Sequence, residues 1–206
     1  MKKAFFLLEL VIVILLMGIF YSLFNYTKYS NKLDEVASRI LIYLNYTRYI
    51  ALIDDKYSET TDKNGKNLWY KQRWTMKFMN CNKSKGGIYF RIYSETNDTG
   101  HAGKEESLRD PLTNKYIYAH NDCKIQDDRS PFTLLANYDI KDVQISCNST
   151  DSIGQISFGN DGKVYSKINS LEGKEVTKPC IIKLISTKNQ SREIVVNPTG
   201  LAHFLH

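Results

Sequence analysis

The chain has 206 residues, with 42% hydrophobic content and a net charge of +6 from 28 Lys and Arg against 22 Asp and Glu. That hydrophobic content excludes a disordered chain, and no internal repeat or low-complexity tract points to a solenoid or fibre. The positive balance is compatible with anionic partners without requiring them.

The chain opens on "MKKAFFLLELVIVILLMGIFYSLF", where Glu9 is the only charge between Ala4 and Phe24. About 20 apolar residues suffice for a helix to cross a bilayer core, and Lys2 and Lys3 favour a cytoplasmic N-terminus. The run is too long for a signal peptide, and "YSLFNYTKYS" after it offers no small-x-small cleavage site. An intramembrane carboxylate is costly, so Glu9 is either a carboxylate near the helix end that snorkels to the interface or a functional one. Its natural partner is an amine freed just before Phe5, about one helical turn upstream.

These residues resemble the class III leader of type IV pilins and type II secretion pseudopilins. The resemblance implies that prepilin peptidase cuts between Ala4 and Phe5 and methylates Phe5. Glu9 then falls at the fifth place of the mature chain and serves filament assembly by pairing with a neighbouring subunit's amine. Gly18 matches a glycine of many pilins, while Ala4 stands where Gly is usual and Tyr26 where many major pilins carry Pro. Further implied are other pilins or pseudopilins as partners and residence in the bacterial inner membrane before assembly, as a single pass with the C-terminal domain periplasmic.

Past the apolar run, Leu33, Val36, Ala37, Ile40, Leu41, Leu44, Arg48 and Ala51 step at three and four, an apolar stripe broken only by Arg48. The spacing predicts one helix from about Phe5 to Ile53, its second half amphipathic. The expected organisation is a leader over 1–4, a transmembrane part over 5–24, an amphipathic half over 25–57, and a globular β-rich domain over 58–206. The fold class is α+β: a long helix packed on an antiparallel β domain, the lollipop shape of pilins.

After the helix, Asp54, Asp55, Glu59 and Asp62 lie near Asn64 and Gly65. The ligand order of an EF-hand is absent, and the cluster reads as a solvated helix end. "LWYKQRWTMKFM", the turn "NKSKGG" and "IYFRIYSE" predict a hairpin. The stretch 96–122 reads as loop. "VQIS" and "GQISFG" predict short strands, "NDG" at 160–162 a tight turn, "KVYSKI" its return, and "CIIKLIS" with "REIVVN" a last hairpin. The pieces "RWTMKF", "ISFGNDGKVYS" and "REIVVNPTGLAHF" look like the GspH/FimT subfamily of minor pilins and pseudopilins.

Cys81, Cys123, Cys147 and Cys180 form no C-x-x-C pair, so zinc and thioredoxin-type chemistry are not indicated. Two disulfides are expected; of three connectivities, Cys81–Cys123 with Cys147–Cys180 closes the shortest loops without nesting. No catalytic, nucleotide-binding or metal motif is present, and His101, His120, His203 and His206 read as surface residues, so no enzyme, metal or cofactor is expected.

One stretch rises above background. From Lys63 to Ser94 there is no acid, and strand alternation puts Lys71, Arg73 and Lys77 on one face with Tyr89, Arg91 and Tyr93. Such a face could hold phosphates and stack bases, making double-stranded DNA a candidate partner. The sequence therefore supports a structural filament subunit for secretion or a pilus. A DNA-binding minor pilin for natural transformation is the alternative, and an unprocessed single-pass receptor the least favoured.

Overall fold

The computed structural model describes residues 2–26, 32–54, 69–96, 102–124, 126–150, 152–168 and 174–205; within the first of these, side-chain surroundings are described for 8–22. The chain divides into two compact units, Met1–Asn31 and Lys32–His206.

The first unit holds helix α1, Lys2–Tyr26, and the second begins with helix α2, Lys32–Ile53. This corrects the expected single helix from Phe5 to Ile53 and the lollipop built on it. The sequence gives a reason: "NYTKYSN" at 25–31 is rich in residues of low helix propensity, and Asn31 is a preferred helix-start residue ahead of Asp34 and Glu35 in the first turn of α2. The membrane placement is corrected too. Among the described residues no helix is long and apolar enough to cross a membrane. A single pass through the inner membrane is therefore not supported.

Among the described residues of the second unit eight strands follow α2. They are β1 Trp74–Asn80, β2 Ile88–Tyr93, β3 Ile140–Ile145, β4 Gly154–Phe158, β5 Val164–Tyr165, β6 Cys180–Ser186, β7 Ser191–Val196 and β8 Ala202–Phe204. They form two antiparallel four-stranded sheets, ordered β2-β1-β4-β5 and β3-β6-β7-β8. The expected hairpins are present: β1–β2 pairs Lys77 with Arg91, and β6–β7 pairs Ile182 with Ile194. The "NDG" turn joins β4 to β5, with Gly162 at φ +76°, a left-handed value that glycine adopts without strain.

A continuous core unites α2 with both sheets. Met76, Phe78, Phe90, Ile92, Ile156 and Phe158 enter it from the first sheet, and Ile182, Leu184, Ile194 and Val196 from the second. The α2 stripe follows the expected spacing through Leu33, Val36, Ala37, Ile40, Leu44 and Ala51. Tyr43 and Thr47 are buried as well, whereas Leu41 is only half-buried. Asn45 carries the last strand: its amide donates to the carbonyl of Ala202 at 3.1 Å and its oxygen accepts from the Ala202 N–H at 3.1 Å.

Candidate functional site

Glu9 lies in α1 with an exposed side chain, the only charge among exposed apolar neighbours that include Leu8, Leu10, Ile12 and Val13. Ala4 and Phe5 are helical, and their side chains lie outside the described residues. Of the acidic cluster, Asp55, Glu59 and Asp62 lie outside the described residues, as do His101 and His206. The Asp54 carboxylate accepts a hydrogen bond from the Trp74 indole at 2.9 Å.

Both expected disulfides form. Cys81–Cys123 has a Cα–Cα distance of 5.7 Å and Cys147–Cys180 one of 5.3 Å. The first fastens the end of β1 to the long middle segment. The second ties β6 to the chain just after β3, next to a strand pair already in register. In the chain-entropy model, loops of this size stabilise by about 4 kcal/mol each.

The basic, aromatic face has a different character from the one alternation suggests. Lys77 and Arg91 do share a side of the first sheet with Tyr89, Tyr93, Thr75, Gln155 and Ser157, opposite Met76, Phe78 and Phe90. But this second side is covered too. Tyr93 is 3% exposed and packs with Ala102 and Ile168; Tyr89 is 5% exposed and packs with Ala119 and Leu134. Burial pushes the Tyr93 phenol up to about 12 and raises that of Tyr89. Arg73, expected to face solvent, is 5% exposed, its guanidinium 3.7 Å from the Tyr165 ring centre and 5.3 Å from that of Trp69. Burial lowers its pKa, opposed by Tyr165 and Asp161. Lys71 is half-buried in a 3-10 turn, Trp69–Gln72, that precedes β1. The structure thus brings Lys77, Arg91, Tyr89 and Tyr93 together on one side of the sheet and leaves Lys71 and Arg73 beyond the start of β1, and the two tyrosine rings are not available for stacking bases. Alternation gives the side of a strand; whether the segment from Ala102 to Ala119 folds over that side depends on contacts remote in sequence.

Sequence reasoning also missed a buried polar knot. The Tyr43 hydroxyl donates to Asp110 Oδ2 at 2.5 Å, with Ser130 Oγ 3.5 Å away. Burial and the Asp110 hydrogen bond raise the Tyr43 pKa well above the usual phenol value. Asp110 also accepts from the Leu112 N–H at 2.9 Å, so one buried carboxylate shapes a turn and fixes it to α2. Nearby, Tyr116 donates to Glu105 at 2.6 Å and stacks under Arg109 at 3.9 Å, and Lys104 pairs with Asp128 at 2.7 Å. Each of these groups has its partner within the chain.

No protein-family model matches the chain, and neither a curated protein nor a solved structure shows significant similarity to it.

Proposed function

We propose that the chain is a non-catalytic structural subunit of a type IV pilin-like filament, of the minor pilin or pseudopilin kind, serving a secretion pseudopilus or a pilus. The observation that carries this reading is Glu9, the only charge in the apolar run of α1. Described large apolar side chains of that helix, from Val13 at 45% to Tyr21 at 74%, stand exposed. A helix apolar on all sides needs cover. Equivalent helices of neighbouring subunits supply it, and the amine freed by cleavage before Phe5 supplies the positive partner for Glu9. The two disulfides and the Tyr43–Asp110 hydrogen bond of the second unit suit a module that bears force.

The test is twofold. Mass spectrometry of the filament-borne chain should find N-methylated Phe5 at its start. Glu9→Ala should leave the amount of folded protein unchanged and sharply reduce its recovery in sheared filaments. Retention of Met1 in assembled protein, or full incorporation of the Glu9→Ala chain, would sink the reading.

A further inference from the structure

The second side of the first sheet carries two small apolar clusters, one around Tyr89, Ala119 and Leu134 and one around Tyr93, Ala102 and Ile168. Between them runs a single cross-strand row: Arg91 on β2, Lys77 on β1 and Gln155 on β4, each the register partner of the next. Two cations therefore face each other across adjacent strands, an arrangement that is destabilising when like charges stand directly opposite. Both are half-buried, so water screens them poorly. Arg91 donates from Nη1 to the Ala102 carbonyl at 3.0 Å, but its buried Nε has no hydrogen-bond partner. Lys77 makes no hydrogen bond and no ion pair among the described residues, and burial and the Arg91 charge lower its pKa. Glu95 is a carboxylate whose field reaches Lys77 and opposes that shift. Buried donors without acceptors are rare and mark a missing partner.

We propose that this row is a small-oxyanion site, in which one phosphate or sulfate group accepts from Lys77 Nζ and Arg91 Nε beside the Gln155 amide. The partner has to be small, because the flanking tyrosines are packed over and leave no platform for a base. The proposal is independent of filament assembly, since Glu9 and α1 take no part in it.

Thermal unfolding of the full-length chain, titrated with sodium phosphate or sodium sulfate against sodium chloride at matched ionic strength, tests this. Wild type should show a saturable rise in Tm of about 3 °C with either oxyanion. Lys77→Met should unfold at a higher temperature than wild type in chloride, because the repulsion with Arg91 is gone, and should lose the saturable rise. Gln155→Glu, which adds a carboxylate to the row, should do the same by a different route. Lys85→Met, in the exposed β1–β2 turn, should respond like wild type. These anions also stabilise proteins generally by exclusion from the surface. A rise that is linear in concentration and equal in all four proteins would therefore overturn the site. So would a larger shift with duplex DNA at equal phosphate concentration, which would point to a nucleic-acid surface instead.

Discussion

At the residue scale, the groups that decide behaviour are polar ones inside the second unit. Tyr93 carries a phenol pushed up to about 12 by burial, against an ordinary value of 10.0. The folded state holds this proton more tightly than the unfolded chain does. Its contribution to stability is complete below pH about 10 and is lost as pH rises through the folded value. Urea midpoints should therefore hold level up to pH about 10 and fall between there and pH 12. Tyr93→Phe should flatten that fall, and parallel curves for the two proteins would refute the assignment. Arg73 gives a second prediction at this scale. Solvent-facing placement would make Arg73→Gln nearly neutral, but the guanidinium lies against the Tyr165 and Trp69 rings. The substitution should cost about 1–2 kcal/mol in chemical denaturation, while Lys85→Gln, fully in solvent, should stay within about 0.5 kcal/mol.

At the element scale, α2 is held by both sheets and by two turns that meet at its C-terminal half. Arg48 Nε donates to the Thr199 carbonyl at 2.9 Å. Gly200 lies beside it at φ +85°, where a Cβ would meet the Gly162 carbonyl oxygen at 2.4 Å and Arg48 Cδ at 2.8 Å. Gly86, at φ +67°, has open space around the same position. Both Gly→Ala changes meet backbone strain, on the order of 1 kcal/mol, but only Gly200→Ala also forces two backbones apart. Gly200→Ala should therefore lower the denaturation midpoint by at least twice as much as Gly86→Ala; equal effects would show that the contact at Arg48 is not what fixes this corner. The strands of both hairpins were legible because period-two patterns and "NDG" are local signals. The α2 stripe was legible for its aliphatic members. Tyr43 was not, because its burial depends on Asp110 and Ser130, 67 and 87 residues away. Strand β8 was not, because three residues carry little pattern and its place is set by Asn45. The covered second side of the first sheet was not, because alternation is silent about what packs on the polar-looking side. That α1 and α2 are separate elements has one local signal, the low helix propensity of "NYTKYSN", which the apolar spacing on either side of it outweighs.

At the scale of the whole molecule, buried core and exposed apolar surface fall in different parts of the chain. Every buried core residue among those described, from Leu33 to Ala202, belongs to the second unit, as do both disulfides. The described large apolar residues of the first unit are all exposed. The hydrophobic contribution that folds the Lys32–His206 unit is therefore contained within it, since stabilisation follows apolar area removed from water. The first unit contributes exposed apolar surface, which drives association. A chain starting at Lys32 should then fold with both bridges formed and keep a cooperative thermal transition, with a Tm within about 3 °C of the full chain. It should sediment as a monomer at concentrations where the full chain associates. On the proposed filament reading, restoring α1 with Glu9→Ala should restore apolar association without ordered filaments, because surface area gives adhesion while the proposed charge pair would set register between neighbours. If the shortened chain fails to fold, the division of labour is wrong. If it folds but associates as strongly as the full chain, the associating surface lies in the second unit, and the row of Ile42, Tyr49 and Ile53 left exposed along α2 becomes the first place to substitute.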